Sequence, residues 1–219
     1  MARVVITGAN RGIGLALAEL YAKRGEQVIG TSRKAAPKLV ELGVEVHEGV
    51  DVTSDRDVAA FAKSLGSKPV DVLINNAGIA SYDRLDDLSL DRAREQFEVN
   101  ALGPLRMTRA LLPLLKDGSK VAIITSRSGS IGDNGSGGMY GYRMSKAAVN
   151  MAGVNLALEL KPKGIAVALL HPGMVNTDMG SGSGVEPLDS ARRLIARIDE
   201  LTLATSGKFL HAEGYELPW

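Results

Sequence analysis

The chain has 219 residues, 45% of them hydrophobic and 4% aromatic, with a formal net charge of +1 and no cysteine. Length and apolar content suit one domain, residues 1–219, built around a single core. The small net charge argues against nucleic acid or an anionic membrane as partner. Scarce aromatics argue against stacking on single strands, and the missing cysteines exclude disulfide scaffolds and thiolate metal sites.

An apolar run opens the chain at Val4–Thr7, and a strand starting near Arg3 leaves no room for a signal peptide. Further Val- and Ile-rich runs at Val28–Thr31, Val44–Val46, Val70–Asn75, Val121–Thr125 and Ile165–Leu170 read as short strands. Helices are predicted over Ile13–Arg24, Ala35–Leu42, Asp55–Ser64, Asp91–Leu115 and Tyr142–Leu160. One more is predicted over Pro187–Thr205, before a last strand at Gly207–Leu210. Continuous apolar strands alternating with helices predict an α/β fold. The expected form is a Rossmann-type, doubly wound, mainly parallel seven-stranded sheet with helices on both faces. No apolar run approaches the roughly 20 residues of a membrane span, and a cytoplasmic location is expected. The glycine-rich segments Gly129–Gly141 and Gly180–Gly184 read as loops at the carboxyl ends of strands, where open α/β sheets bind ligands.

Gly8-Ala9-Asn10-Arg11-Gly12-Ile13-Gly14 joins the first strand to the first helix. Glycines there allow a tight turn and close approach of a pyrophosphate, and the helix N-terminus offers free N–H groups to it. The spacing differs from the common G-x-G-x-x-G, and no P-loop Gly-Lys-Ser/Thr follows. At the end of the second strand, where an acidic residue would accept a hydrogen bond from an NAD ribose, the chain has Ser32-Arg33. Arg33, Ser32 and Arg11 suit a 2′-phosphate, and no carboxylate in that stretch repels one. The expected cofactor is therefore NADP(H).

Tyr142 and Lys146 stand at i and i+4, on one face of a predicted helix. A fixed cation near a phenol favours the phenolate. Lowering a tyrosine pKa from roughly 10 by about two to three units takes about 3–4 kcal/mol. Tyr140 lies six residues from Lys146 and on another helix face. Three scattered histidines give no metal-ligand pattern, so no metal is expected.

Taken together, Gly8/Gly12/Gly14, Asn75-Asn76-Ala77-Gly78, Asn100, Ser126 and Tyr142-x-x-x-Lys146 make the chain resemble the short-chain dehydrogenase/reductase family over essentially its whole length. Gly138–Lys146 and the stretch from Gly207 to Trp219 resemble the compact C-factor-like and sniffer-like carbonyl reductase branch. The resemblance implies Tyr142 as general acid in carbonyl reduction and base in alcohol oxidation. Lys146 would lower its pKa and hold the nicotinamide ribose. Ser126 would hold the substrate oxygen. The family's serine-x-x-glycine pattern selects it over Ser128, although the spacing to Tyr142 is longer than usual. Asn100 would hold a water relaying protons from Lys146, or be an ordinary buried amide.

For the cofactor, the resemblance implies Asn76, Ala77 and Gly78 beside the adenosine ribose, and Asp51 with Val52 at the adenine. Helix capping is the alternative for Asp51. Pro172, Gly173, Val175 and Thr177 would meet the nicotinamide carboxamide. Substrate choice would fall to Ser81-Tyr82, the Gly129–Gly141 loop, Met174 and Met179–Leu188. The implied reaction is hydride transfer between nicotinamide and a small ketone, aldehyde or alcohol. A nucleotide-binding signalling protein with little turnover is the alternative. Apolar residues on a second face of the Tyr142–Leu160 helix, such as Met151, Val154 and Leu158, point to a homodimer.

Overall fold

The computed structural model describes residues 1–34, 36–180 and 182–219. Its core is a sheet of β1 (Arg3–Thr7), β2 (Gln27–Ser32), β3 (Glu45–Glu48), β4 (Val70–Asn75), β5 (Leu115–Ile124), β6 (Ala166–His171) and β7 (Phe209–His211). The order is β3-β2-β1-β4-β5-β6-β7 and every pairing is parallel. Around it lie α1 (Gly12–Lys23), α2 (Pro37–Glu41), α3 (Asp55–Ser64), α4 (Leu90–Phe97), α5 (Gly103–Leu111), α6 (Tyr140–Leu160) and α7 (Pro187–Glu200). The predicted doubly wound sheet is what forms.

Alternate strand residues feed two cores, as a period of two requires. Val4, Ile6, Val72, Ile74, Ala122 and Leu170 pack with Leu17 of α1 and Leu194 and Ile198 of α7. Val5, Leu73, Val121, Ile123 and Val167 pack with Phe61 of α3, Met107 and Leu111 of α5, and Val149 and Ala157 of α6. Every residue of β1 is buried, which is why that strand reads as unbroken apolar sequence. The chain winds outward from β1 to β3 and then returns to β4 on the other side of β1. This switch point opens a crevice at the carboxyl ends of β1 and β4, the place where such sheets take ligands.

Several boundaries differ from expectation, each for a local reason. The helix predicted over Asp91–Leu115 is α4, a π-helical turn over Glu98–Leu102, and α5. Pro104 has no N–H to offer the Asn100 carbonyl one turn back, so the ladder widens there. A 3₁₀ turn carrying Pro113 then ends the helical run, and β5 begins at Leu115 rather than Val121, with a register irregularity against β4 between Val70 and Val72. The last helix stops at Glu200, short of Thr205, and β7 shifts to Phe209–His211. The predicted start of the second helix at Ala35 lies outside the described residues, as does Ser181 within the Gly180–Gly184 loop.

α6 starts at Tyr140, earlier than predicted, because a distant residue caps it. The buried Asp83 accepts from the Tyr140 N–H at 2.7 Å, and its own carbonyl accepts from Met139 N at 2.8 Å. Met139, the capping position, is held left-handed at φ 50, a region that non-glycine residues seldom occupy. No local signal announces this start.

Candidate active site

The first turn and the end of β4 are built as one unit. Thr7 Oγ1 accepts from the backbone N–H groups of Asn76 and Ala77, both at 3.0 Å. Asn76 Nδ2 donates to the carbonyls of Thr7 and Gly8 at 3.0 and 3.1 Å. A Cβ at Gly14 would overlap the Gly8 carbonyl and come within 2.5 Å of Asn76 Nδ2, so only glycine fits. Arg11 takes the capping position of α1 in extended conformation, with no side-chain hydrogen bond to the helix. The opening N–H groups of α1 therefore face the crevice uncapped, and Asn10, Gly12 and Ile13 line the same bend. Donors of this kind fit a pyrophosphate.

Three polar residues border the far end of the crevice. Arg33 lies 3.7 Å from Asp51. The sequence shows no carboxylate next to Arg33, but the fold brings this one from the end of β3. Burial pushes the Asp51 carboxyl up, but hydrogen bonds from the Thr53 N–H and hydroxyl, at 2.9 and 2.8 Å, and the Arg33 charge outweigh it, leaving the group below its ordinary pKa. Asp51 caps this turn and not α3, whose cap is Ser54, accepting from Asp57 N at 3.1 Å. Ser32 has a local partner. It is buried, and its hydroxyl donates to the Lys34 carbonyl at 2.6 Å. Arg33 and Arg11 remain as the cations that could meet a phosphate. Val52, beside Asp51, is buried, and its carbonyl accepts from Arg106 at 3.0 Å.

The four residues singled out for chemistry converge behind this crevice. Gly129 lies so close to the Lys146 backbone that a Cβ there would sit 2.6 Å from its carbonyl carbon. The 3₁₀ turn Arg127–Gly129 thus rests directly on α6, with Ser126 as its cap, Oγ accepting from Ser128 N at 3.1 Å. Beside this contact the Ser126 hydroxyl comes within hydrogen-bonding reach of Tyr142. Burial raises the Tyr142 phenol above its ordinary pKa, the Ser126 hydroxyl within hydrogen-bonding reach pulls it down, and the nearby Tyr82 pushes it up.

Lys146 is buried, donates to the Ile124 carbonyl at 3.0 Å, and lies 5.7 Å from the Tyr142 ring centre. Desolvation takes its pKa down to about 8. In the free protein burial dominates and leaves the phenol raised, with the Lys146 ammonium 5.7 Å from its ring centre.

Asn100 sits in the π turn, where its amide accepts from Ile79 N at 2.9 Å and donates to Ile79 O at 2.8 Å. It also donates to Ser145 Oγ at 3.0 Å, and Ser145 donates to the Tyr142 carbonyl at 2.7 Å. Ser145 is a link that motif reading missed. Asn100 Oδ1 and Lys146 Nζ both face Gly78, at 3.2 and 3.8 Å from where a Cβ would be.

The segment after β6 closes the site from above. Pro172 O accepts from Ser190 Oγ at 2.8 Å, and Gly173 adopts φ 85. Val175 forms a bridge with Val185. The Thr177 methyl lies 3.3 Å from the Cβ position of Gly12, directly over the first turn. Beyond it, Asp178 pairs with Arg11 at 2.7 Å, and the Tyr82 hydroxyl donates to Met179 O at 2.7 Å. Sequence reading placed neither contact, since the partners lie 167 and 97 residues apart along the chain.

A family model described as short chain dehydrogenase matches residues 2–186. Over 226 residues, covering 100% of both chains, the sequence is 45% identical to a 1-hydroxy-2-glutathionyl-2-methyl-3-butene dehydrogenase of Rhodococcus sp. (strain AD45). It is 47% identical over 164 residues to the C-signal protein of Myxococcus xanthus, covering 73% of this chain and 99% of that one. Among solved structures, an NADPH-bound carbonyl reductase from chicken fatty liver superimposes with a TM-score of 0.92 at 30% identity, covering 100% of this chain and 99% of its own.

Proposed function

The chain belongs to the short-chain dehydrogenase family, and from that premise we propose that it is an NADP(H)-dependent oxidoreductase interconverting a carbonyl and an alcohol, working as one domain over residues 1–219. The observation that carries this reading is the convergence of Ser126, Tyr142 and Lys146 beside an uncapped glycine turn at the sheet's switch point. Bound NADPH would supply the hydride, as the bound cofactor of the chicken reductase suggests.

The protein's part is to hold and to move a proton. Ser126 Oγ fixes the substrate oxygen where charge develops, and Tyr142 Oη delivers its proton there in reduction, or withdraws one in oxidation. Lys146 Nζ supplies the cation that favours the phenolate once bound ligands complete the site. Asn100, tied to Ile79 and Ser145, keeps a polar path open beside Lys146. Gly8, Gly12 and Gly14 receive the pyrophosphate, Arg33 and Arg11 the 2′-phosphate, Asp51 and Val52 the adenine end. Asn76, Ala77 and Gly78 border the ribose, and Pro172, Gly173, Val175 and Thr177 the carboxamide.

The hydroxy compound in the Rhodococcus relative's name supports an alcohol as substrate in the oxidative direction. The exposed face of α6, with Met144 at 54%, Met151 at 64% and Leu158 at 67%, supports a homodimer built on that helix. A second reading, a signalling protein with little turnover, draws on the similarity to C-signal. A panel of small aldehydes and ketones separates the two. Steady NADPH consumption is expected, and binding without consumption would favour signalling. In the same assay Arg33→Ala should weaken NADPH far more than NADH. Tighter binding of NADH by the unaltered protein would overturn the cofactor assignment.

A further inference from the structure

After β6 the chain is anchored where Met174 and Asn176 meet Val185, and pinned over residues 177–180. At the base, Asn176 N donates to Val185 O at 3.0 Å and Val185 N to Met174 O at 2.9 Å. The tip, residues 177–180, reaches both banks of the cofactor crevice. On one side Asp178 Oδ2 holds Arg11 Nη1 at 2.7 Å, and on the other Met179 O accepts from the Tyr82 hydroxyl at 2.7 Å. Arg11 is the cation of the first turn, its side chain is 64% exposed, and among the described residues Asp178 is the partner that holds it.

We infer that Asp178 competes with the cofactor's 2′-phosphate for Arg11, making it a residue that sets coenzyme affinity and selectivity from the substrate-side segment. This rests on the NADP(H) reading of the site given above. A phosphate dianion offers Arg11 more charge and more acceptor oxygens than one carboxylate does, so the 2′-phosphorylated coenzyme takes the guanidinium and frees Asp178. A coenzyme without that phosphate leaves the pair intact and gains nothing from Arg11. Taking up NADP(H) therefore unfastens one of the tip's two pins, while NAD(H) leaves both closed. The Tyr82 contact carries no net charge and is indifferent to the phosphate.

The pair is solvent-exposed on both sides, where ion pairs are weak, so the expected effect is small and specific. Asp178→Asn should tighten NADPH binding about twofold to fivefold in a fluorescence titration and leave NADH unchanged. The gain should disappear in Arg11→Ala/Asp178→Asn. In the cofactor-free protein, amide hydrogen exchange over 177–180 should quicken in Asp178→Asn, a readout independent of turnover. Tyr82→Phe, which loosens the other pin, should move NADPH and NADH affinities equally. Unchanged or weaker NADPH binding in Asp178→Asn would overturn the inference, since Asp178 would then be neutral or would be aiming Arg11 at the phosphate. An equal gain for NADH would do the same. Preference of the unaltered protein for NADH would overturn the cofactor reading itself, and this inference with it.

Discussion

Lys146 owes its chemistry to where it is buried. A lone ammonium facing the Ile124 carbonyl is poorly solvated, and burial takes its pKa down to about 8 from an ordinary 10.5. Below pH 8 the group is charged in both folded and unfolded chains, and the folded state bears the full cost of burying it. Between about 8 and 10.5 the unfolded chain binds more protons, so stability rises with pH across that window. Lys120 is also lowered by burial, so the test is a difference. Unfolding free energy should climb between pH 8 and 9.5 more steeply in the natural protein than in Lys146→Met. Parallel profiles would mean that Lys146 is better solvated than its position indicates. Above pH 10 the raised Tyr142 phenol adds the opposite trend, which is why the comparison stops below it. The i, i+4 spacing was legible in the sequence. The carbonyl partner and the desolvation were not, because both come from β5 and from the 3₁₀ turn that the backbone packs against α6.

At the scale of elements, the start of α6 matters most, since its first turn carries Tyr142. That start is set by Asp83, far away in sequence, through its bond to Tyr140 N. Asp83→Ala should cost about 1–2 kcal/mol of stability, as loss of a helix cap does, and should lower turnover by letting the first turn fray. Asp83→Asn, which keeps an acceptor oxygen, should recover part of both. Denaturant unfolding and steady-state rates check this, and full activity in Asp83→Ala would show that the first turn holds itself. Pro104 makes the same point for Asn100. A helical periodicity over Asp91–Leu115 was visible, but the π turn that presents the Asn100 amide to Ile79 follows from a missing N–H that periodicity does not register. α3, by contrast, falls where it was predicted, because Ser54 is a local cap with a local signal.

Across the whole molecule, the doubly wound, mainly parallel seven-stranded sheet was the most legible feature. Short unbroken apolar strands separated by helices leave few arrangements once crossovers are right-handed, and the glycine turn after β1 marks the switch point. What the pattern could not give is which loops meet over the crevice. The contacts Arg11–Asp178 and Tyr82–Met179 join segments that only the closed fold brings together. The exposed α6 face belongs to this scale too. Met151→Glu should convert a dimer into a monomer by light scattering while leaving NADPH affinity unchanged, and a natural protein already monomeric at micromolar concentration would contradict the dimer.

The proposed reaction turns on one phenol, placed by Ser126, Lys146 and the first turn of α6, moving the proton. The direct measurement is turnover of Tyr142→Phe with NADPH and a reducible carbonyl, alongside its NADPH dissociation constant. The expected result is a fall in kcat of at least about 100-fold with NADPH binding essentially unchanged. Undiminished turnover in Tyr142→Phe would mean that another group moves the proton.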